Sequence, residues 1–173
     1  MRTNQLFDAI REATASDVPA LVDFGQQVSH DTYVKTGFLP AAYVNKTQRG
    51  FWSTDYLSKV IEAKETILLV AYDQDELIGM TEVQLLNEQE AVMWKLYVRQ
   101  THHGRGLGRR LLQEISGRLP TSIQLLKTEY YESNTPAAGF YQTQGFKFLE
   151  RKEESFADDT IPYIFVSKDI RQK

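Results

Sequence analysis

The chain has 173 residues, of which 42% are hydrophobic, and its 20 basic and 23 acidic residues give a formal net charge of −3. This length predicts one domain, 1–173, and the apolar share is sufficient for a core and too high for a disordered chain. The mildly acidic balance does not favour nucleic acid or an anionic membrane as a partner. The chain contains no cysteine, which excludes disulfides, thiolate metal sites and a cysteine nucleophile and fits a reducing compartment.

The beginning of the chain predicts a strand and a helix after a short lead-in. Residues 1–8 read as a loose lead-in without an apolar signal-peptide core, and no run of 18 apolar residues follows anywhere, so we expect a cytoplasmic protein. Residues 10–13 predict the first strand. Ser16 is predicted to be the N-cap of a helix whose first turn contains Pro19.

Residues 29–52 form an aromatic and polar segment whose pattern is less regular. This composition predicts a loop with a short helix and suits a binding surface, while a helix that packs its aromatic rings into the core is the alternative. His30 lies at its start, where a surface or capping role is the commoner one for a lone histidine. Ser53 or Thr54 then caps a further helix.

The middle of the chain predicts an antiparallel meander. Residues 66–72 form a strongly apolar strand, residues 73–76 a polar hairpin connection, and residues 77–83 the returning strand. A second turn at residues 87–89 leads into a strand at residues 90–98, which is rich in aromatic and β-branched residues.

A glycine-rich stretch, His-Gly-Arg-Gly-Leu-Gly-Arg-Arg at residues 103–110, follows this strand and opens a helix. The helix is indicated by apolar residues at helical spacing: Leu107, Leu111, Leu112, Ile115 and Leu119. The start of a helix leaves about four backbone N–H groups unpaired and carries partial positive charge. Because glycine has no Cβ, an anion can approach this backbone closely. The stretch therefore predicts a site for a phosphate-bearing ligand.

The spacing of the glycines narrows the choice of ligand. The dinucleotide fingerprint requires a glycine where Arg109 stands, and the Lys-Ser/Thr end of a P-loop does not follow, which disfavours other nucleotide-binding classes. The stretch resembles the acetyl-CoA motif of the GNAT superfamily of N-acetyltransferases, [QR]-x-x-G-x-[GA]. Gly106 and Gly108 match this motif, whereas His103 occupies the Gln/Arg position. A glycine-rich turn without a ligand is the alternative.

A second motif follows a predicted strand at residues 122–130. Pro136 opens a short helix and Gly145 ends it, which alone indicates only a capped helix. The segment also resembles the second acetyltransferase motif, N-x-x-A-x-x-x-Y-x-x-x-G-F, through Asn134, Ala137, Tyr141, Gly145 and Phe146.

The two motifs in this order, with a helix and a strand between them, imply the GNAT acyl-CoA N-acyltransferase fold. This is an α/β (α+β) fold with a mixed, mostly antiparallel sheet of six to seven strands, splayed central strands and flanking helices. The strand–helix–strand unit around the first motif should be a parallel crossover of right hand. Residues 146–150 and 161–167 predict the last two antiparallel strands, with an acidic turn at residues 153–159 between them.

The resemblance implies transfer of an acetyl group from acetyl-CoA to an amine, without a metal. The residues it assigns to acetyl-CoA are Leu96, Tyr97, Val98, His103, Gly104, Arg105, Gly106, Leu107, Gly108, Arg109, Asn134, Ala137 and Phe140. A backbone N–H near Tyr97 and Val98 would stabilise the negative oxygen, because this family splays that strand away from the next. Arg105, Arg109 and Arg110 are near enough in sequence to neutralise phosphate, while solvated residues of the helix face are the alternative for Arg109 and Arg110. The lack of cysteine favours direct attack by the amine over an acyl-enzyme.

Tyr141 is the residue that the resemblance assigns as the general acid for the departing thiolate, and a packed aromatic of the helix is the alternative. For the base, family members use a Glu of the central strand, a His or waters. Glu90, with Glu82 beside it, is the candidate, although a half-exposed strand glutamate commonly has no such role.

The acceptor is the least determined part of the prediction. The glycine loop and the Asp-rich turn look most like polyamine-type acetyltransferases, and carboxylates that could bind a cationic amine are Asp31, Glu82, Glu90, Asp158 and Asp159. Peptide amines, amino acids and amine antibiotics stay open, as does a homodimer, since dimers are common in the family. A non-catalytic domain that binds acyl-CoA as a sensor is the alternative function.

Overall fold

The computed structural model describes residues 9–171, so the predicted lead-in at residues 1–8 lies outside the described part. The strands in this part are β1 (Ile10–Glu12), β2 (Thr66–Asp73), β3 (Glu76–Leu85), β4 (Glu90–Val98), β5 (Leu125–Tyr131), β6 (Lys147–Phe156) and β7 (Asp159–Asp169). The α-helices are α1 (Val18–Ser29), α2 (Ala41–Phe51), α3 (Thr54–Glu62), α4 (Leu107–Arg118) and α5 (Thr135–Thr143).

The strands form one seven-stranded sheet in the order β1-β2-β3-β4-β5-β7-β6. All neighbours are antiparallel except β4 and β5, which are parallel and are connected through α4. This confirms the predicted meander and the predicted parallel crossover around the glycine-rich stretch.

The pairing of β4 with β5 is short. It runs from the Glu90–Leu125 pair to the Met93–Thr128 pair and stops there, although both strands continue. On the other side of β4 the register with β3 shifts at the same place, because Glu82 pairs with Lys95 and Val83 with Met93, which leaves Trp94 as a bulge residue. A β-bulge bends and twists its strand. The two central strands are therefore splayed beyond Met93, as the resemblance implied.

Helices cover both faces of the sheet and bury two apolar clusters. On one face α4 inserts Leu111 and Ile115 against the strands. On the other face α1 and α3 pack through Phe24 and Leu57, together with Trp52 from the end of α2. Trp52 lies so close over α1 that a Cβ at Gly25 would stand 1.9 Å from its ring, which fixes the position of α2 against α1.

The structure corrects the prediction for the start of α1. The predicted N-cap Ser16 is wrong, because a 3-10 turn at Ala15–Asp17 precedes the helix, Thr14 caps that turn and Asp17 is the N-cap of α1. The buried Asp17 carboxylate accepts from the Thr14 N–H at 2.7 Å, which draws the chain into this tighter turn.

Residues 29–52 are also more regular than the predicted loop and short helix. They contain a π-helical turn at His30–Val34 and the eleven-residue helix α2, and they bury Tyr33, Tyr43 and Trp52. The alternative of a helix that packs its aromatic rings inward is thus the one observed.

Two predicted boundaries in the C-terminal half of the chain differ from those observed. Strand β5 begins at Leu125 rather than at residue 122. The acidic turn predicted at residues 153–159 shrinks to Ala157 and Asp158, because β6 and β7 pair up to Phe156 and Asp159. The Phe156 ring packs against Tyr43 of α2 at a centroid distance of 5.2 Å, which holds the hairpin extended.

A buried ion pair lies under the bulge of β4. The Lys95 ammonium contacts the Glu82 carboxylate and donates to the Tyr56 hydroxyl at 3.1 Å, and it stands 4.3 Å from the centre of the Tyr56 ring. Burial lowers the pKa of Lys95, and the Glu82 carboxylate opposes this change. The side chains of the pair are only 7% and 2% exposed, so either charge left alone would be poorly solvated.

We therefore expect Glu82→Ala to lower the free energy of unfolding by about 3–5 kcal/mol, since it leaves the Lys95 ammonium buried without its carboxylate. Urea unfolding measures this change. Lys59→Ala removes the exposed Lys59–Asp55 pair of α3 and is the matched control, for which little change in the midpoint is expected. Equal effects of the two variants would contradict a structural role for the buried pair.

Candidate active site

A cavity of about 1150 Å³ opens where β4 and β5 diverge. Its walls come from the ends of these strands, the glycine-rich loop, the first turns of α4 and α5, and the π-helical turn after α1. The cavity brings together every residue predicted to bind the cofactor and the predicted acid: Leu96, Tyr97, Val98, His103, Gly104, Arg105, Gly106, Leu107, Gly108, Arg109, Asn134, Ala137, Phe140 and Tyr141.

The glycines of the loop adopt conformations that other residues avoid. Gly104 and Gly106 have φ angles of 74° and 79°, in the left-handed region, and Gly106 is the N-cap of α4. The Arg110 N–H donates to the Gly106 carbonyl at 3.0 Å, whereas the three N–H groups before it belong to the unpaired first turn. Since glycine has no side chain to cap them, these N–H groups form an anion site at the wall of the cavity.

Individual residues of the loop differ in what they can offer a ligand. The Leu107 side chain is only 1% exposed and packs in the core, so its backbone alone can face a ligand. Gly108 lies against α5, where an added Cβ would stand 3.5 Å from the Phe140 ring. The His103 Nε2 is 2.8 Å from the Val98 carbonyl and, as an N–H donor, ties the loop to β4.

The alternation of the β4 backbone decides which of its N–H groups face the gap. The Arg99 N–H donates to the Ile78 carbonyl of β3 at 2.8 Å. Since N–H groups of a strand alternate between its two edges, the Tyr97 N–H also points to β3. The N–H groups of Leu96 and Val98 therefore point to the opposite edge, where the ladder with β5 has already ended.

The second predicted motif forms the opposite wall. The Asn134 side-chain oxygen accepts from the Ala137 N–H at 3.2 Å and caps α5, so the amide NH₂ is the part of Asn134 that can donate to a ligand. Tyr141 lies on α5 with its ring stacked on Tyr130 at a centroid distance of 5.9 Å. Burial raises the pKa of Tyr141 to about 12, and Thr128 partly offsets this. The phenol is therefore protonated at neutral pH.

The two glutamates predicted as general bases do not reach the cavity. Glu90 begins β4, eight residues before Val98, which is roughly 26 Å along an extended strand. Its carboxylate accepts from Lys127 at 3.0 Å, and this hydrogen bond lowers the pKa of Glu90. Glu82 is engaged in the buried pair with Lys95. Two other predicted acceptor carboxylates, Asp158 and Asp159, lie at the exposed hairpin tip, whereas Asp31 does line the cavity.

Glu129 is the carboxylate that the sequence reasoning missed. It follows Thr128 directly, so it is the first residue of β5 beyond the part that pairs with β4, and it lines the cavity. Burial raises the pKa of Glu129, the Glu154 charge raises it further, and Lys152 opposes both. No feature of the sequence marks where the ladder ends, so this strand glutamate had no distinguishing signal.

A cluster of tyrosines surrounds the side of the cavity next to Glu129. The π-helical turn, in which the Lys35 N–H donates to the His30 carbonyl at 2.9 Å, brings the Tyr33 hydroxyl to 2.9 Å from the Tyr97 hydroxyl. The Tyr131 ring packs edge-on against Tyr33 at 5.3 Å. Burial raises the pKa of Tyr33 and Tyr97, so both hydroxyls stay protonated.

Residues 9–171 contain neither a membrane-spanning helix nor a metal-binding cluster. No helix in this range is long and apolar enough to cross a membrane. The His, Asp and Glu side chains of the same residues form no group of three that could ligate a metal ion.

Known proteins share this architecture. Residues 64–148 match the family model described as "Acetyltransferase (GNAT) domain". No curated protein matches the chain in sequence. Among solved structures, the PaiA N-acetyltransferase from Thermoplasma acidophilum in complex with coenzyme A aligns with a TM-score of 0.76 and 21% identity, over 90% of this chain and 96% of its own.

The ribosomal-protein-S18-alanine N-acetyltransferase from Escherichia coli aligns with a TM-score of 0.72 and 18% identity, over 95% of each chain. At these identities the structures establish the fold alone. Together with the family model they confirm the GNAT fold predicted from the two motifs, while nothing in them supports the polyamine-type subfamily.

The geometry of Gly106 yields a direct test of the anion site. Gly106→Asp places a carboxylate at the unpaired N–H groups and a Cβ on a left-handed residue, so we expect acetyl-CoA affinity to fall by at least about tenfold, or ~1.4 kcal/mol. Titration calorimetry measures the affinity. Gly106→Ala introduces the same backbone strain without the charge and is the matched control, which should lose less. Unchanged affinity in a folded Gly106→Asp protein would rule out this loop as the phosphate site.

Proposed function

We propose that the chain is a GNAT acetyltransferase, as the match of residues 64–148 to that family model and the shared fold suggest. We further propose that it transfers the acetyl group of acetyl-CoA to a primary amine by direct attack in a ternary complex. One observation carries the proposal. The cavity at the splayed strands brings the unpaired N–H groups of a helix start, two outward-facing strand N–H groups, a protonated tyrosine and a partly buried carboxylate to one place. These are the groups that acyl transfer from a thioester to an amine requires.

The cofactor is held from the two sides of the gap. The N–H groups at the start of α4 donate to the pyrophosphate oxygens, and Arg105 and Arg109 line the cavity beside them. The strand N–H groups of Leu96 and Val98 are available to the pantetheine amides and to the thioester. A ligand in this position replaces the missing ladder partner of β4, so its binding satisfies backbone groups that the fold leaves unpaired.

The carbonyl oxygen of the thioester becomes negative when the amine attacks its carbon. A strand N–H of Leu96 or Val98 that points into the gap is suited to stabilise this charge, because it is fixed by the ladder with β3 before the reaction begins. The mechanism therefore uses backbone donors for the oxyanion and leaves the side chains free for proton transfer.

Glu129 replaces Glu90 as the general base in this proposal. An amine reaches the site as an ammonium and must lose a proton before its nitrogen can attack. A carboxylate with a raised pKa is a stronger base than a solvated one. The proton passes to Glu129, directly or through one water, and from there to solvent.

Tyr141 is proposed as the general acid. When the carbon–sulfur bond breaks, the sulfur leaves as a thiolate, and the phenol at the α5 wall supplies its proton. Since the pKa of Tyr141, about 12, lies above that of an ordinary thiol, about 8.5, the proton is shared late in the step rather than transferred in advance. The products are CoA thiol and the acetylated amine.

Three further expectations from the sequence stay predictions. They are a cytoplasmic location, assembly as a homodimer, and a polyamine-like or peptide acceptor. The name of the Escherichia coli structure refers to a protein alanine as its acceptor, which keeps peptide amines among the candidates here.

The assignment of Glu129 predicts the pH dependence. As a base it must be ionised, so kcat/KM should fall when the pH drops through its raised pKa, and Glu129→Gln should lose roughly 10²-fold in kcat together with this acidic limb. Lys152→Gln removes a charge that lowers this pKa and should move the limb to higher pH. Glu154→Gln removes a charge that raises it and should move the limb to lower pH.

The two neighbouring variants are each other's control, since both neutralise one charge of β6 and should act in opposite directions. The measurement is CoA release against pH with one amine. An acidic limb that neither variant moves would exclude Glu129 as the group that titrates.

Tyr141→Phe isolates the acid step. The variant keeps the ring and its stacking on Tyr130, so stability and acetyl-CoA binding should change little, while kcat and kcat/KM should both fall by roughly 10²-fold. An acyl donor whose leaving thiol has a lower pKa should lose less. Turnover near the parental value would leave thiolate protonation to water. Parental protein that binds acetyl-CoA but releases no CoA with any amine would favour the sensor function instead.

A further inference from the structure

We propose that the acceptor is a primary amine with a single positive charge on an aromatic or other apolar body, such as an arylalkylamine, rather than a polyamine or a charged peptide. The inference rests on the proposed acetyl transfer and specifies its substrate. Three features of the acceptor side of the cavity carry it: the number of unengaged carboxylates, the neighbouring lysines and the aromatic wall.

The first feature is the charge available to hold an ammonium. Among described residues, the carboxylates that line the cavity belong to Asp31, Glu76 and Glu129. Glu76 is engaged by Arg99 at 3.1 Å. Asp31 stands on the π-helical turn with the His30 ring 3.6 Å away, and its side chain is 32% exposed. Among the described lining residues, Glu129 is thus the partly buried carboxylate outside an ion pair that can pair with the cation of the acceptor.

The second feature is the positive charge around this carboxylate. Lys152 is close enough to Glu129 to oppose the rise of its pKa, and Lys35 lines the cavity on the π-helical side. Glu154 also acts on Glu129, but like Lys152 it does not line the cavity. Within the described lining, a second or third ammonium of a polyamine would have Asp31 as its remaining counter-charge and would meet Lys35. Because like charges repel, this arrangement disfavours the binding of polycations.

The third feature is an aromatic wall. Tyr33, Phe38, Trp94 and Tyr97 line the cavity on the acceptor side. The hydroxyls of Tyr33 and Tyr97 are 2.9 Å apart and hydrogen-bond to each other, so one of the two O–H donors is already used. An acceptor body that is itself apolar can cover these rings without losing hydrogen bonds, whereas a peptide backbone would bury unpaired amides.

Trp94 is the residue of this wall that most clearly lacks a structural reason. It is the bulge residue of β4 and 40% exposed, and its Nε1 donates to the Gln84 side chain at 2.9 Å, which fixes the ring beside the gap. Because the ring lines the cavity and is partly exposed, it is accessible to an apolar ligand group. We therefore assign Trp94 to recognition of the acceptor body.

The experiment compares kcat/KM for CoA release with 2-phenylethylamine, ethylamine, spermidine and a short lysine-containing peptide, using the full chain and acetyl-CoA. We expect 2-phenylethylamine to exceed spermidine and the peptide by at least about tenfold. Trp94→Ala should lower the value for 2-phenylethylamine by about tenfold and leave ethylamine nearly unchanged, because ethylamine has no ring to place. Leu86→Ala removes an exposed apolar side chain outside the cavity and should change neither.

A charge reversal tests the second feature independently of Trp94. Lys35→Glu adds a carboxylate at the rim and should raise the kcat/KM of spermidine several-fold relative to 2-phenylethylamine. Faster turnover of spermidine or of the peptide by the parental protein would overturn this inference and leave the acetyl transfer intact. CoA release with none of the amines, in protein that binds acetyl-CoA, would overturn the acetyl transfer and this inference together.

Discussion

The end of the β4–β5 ladder at the Met93–Thr128 pair is the constraint on which the rest of the structure depends. Two parallel strands that separate in the middle of a sheet leave backbone groups that must find other partners. The fold meets this demand by making the gap a binding site, with the N–H groups of Leu96 and Val98 at one edge. The bulge at Trp94 is the local cause, because the extra residue turns the strand away from its neighbour.

The two ends of the cavity at this gap differ in charge. At one end the unpaired N–H groups of α4 and the loop arginines attract phosphate. At the other end β5 presents Glu129 in a partly buried position among tyrosines. Burial acts on the two proposed proton-transfer groups in the same direction, since it raises the pKa of Glu129 and of Tyr141. For the carboxyl this yields a stronger base, and for the phenol it ensures that the proton is present.

The sequence predicted those features that depend on local chemistry. Gly104 and Gly106 stand in left-handed conformations where glycine is needed, and Asn134 caps the helix that its motif indicated. Features that depend on long-range register were not predictable from one sequence. Whether Glu90 or Glu129 faces the cavity is decided by where the β4–β5 pairing stops, and nothing local to either residue records this. The π-helical turn that carries Tyr33 likewise has no distinct sequence pattern.

The side chains of strand β4 hold it in place, whereas the backbone edge toward β5 has the proposed chemical role. The Lys95 side chain enters the buried pair with Glu82, and Tyr97 on the same face packs against Trp52 at a centroid distance of 5.6 Å. These contacts hold the strand and its bulge to α1–α3 and to β3. The edge toward β5 contributes only backbone N–H groups, and these need no particular side chain. Sequence change along this edge is therefore limited by the shape of the strand. The residues that we propose to select the acceptor can vary on β5 and the π-helical turn without disturbing the proposed thioester site.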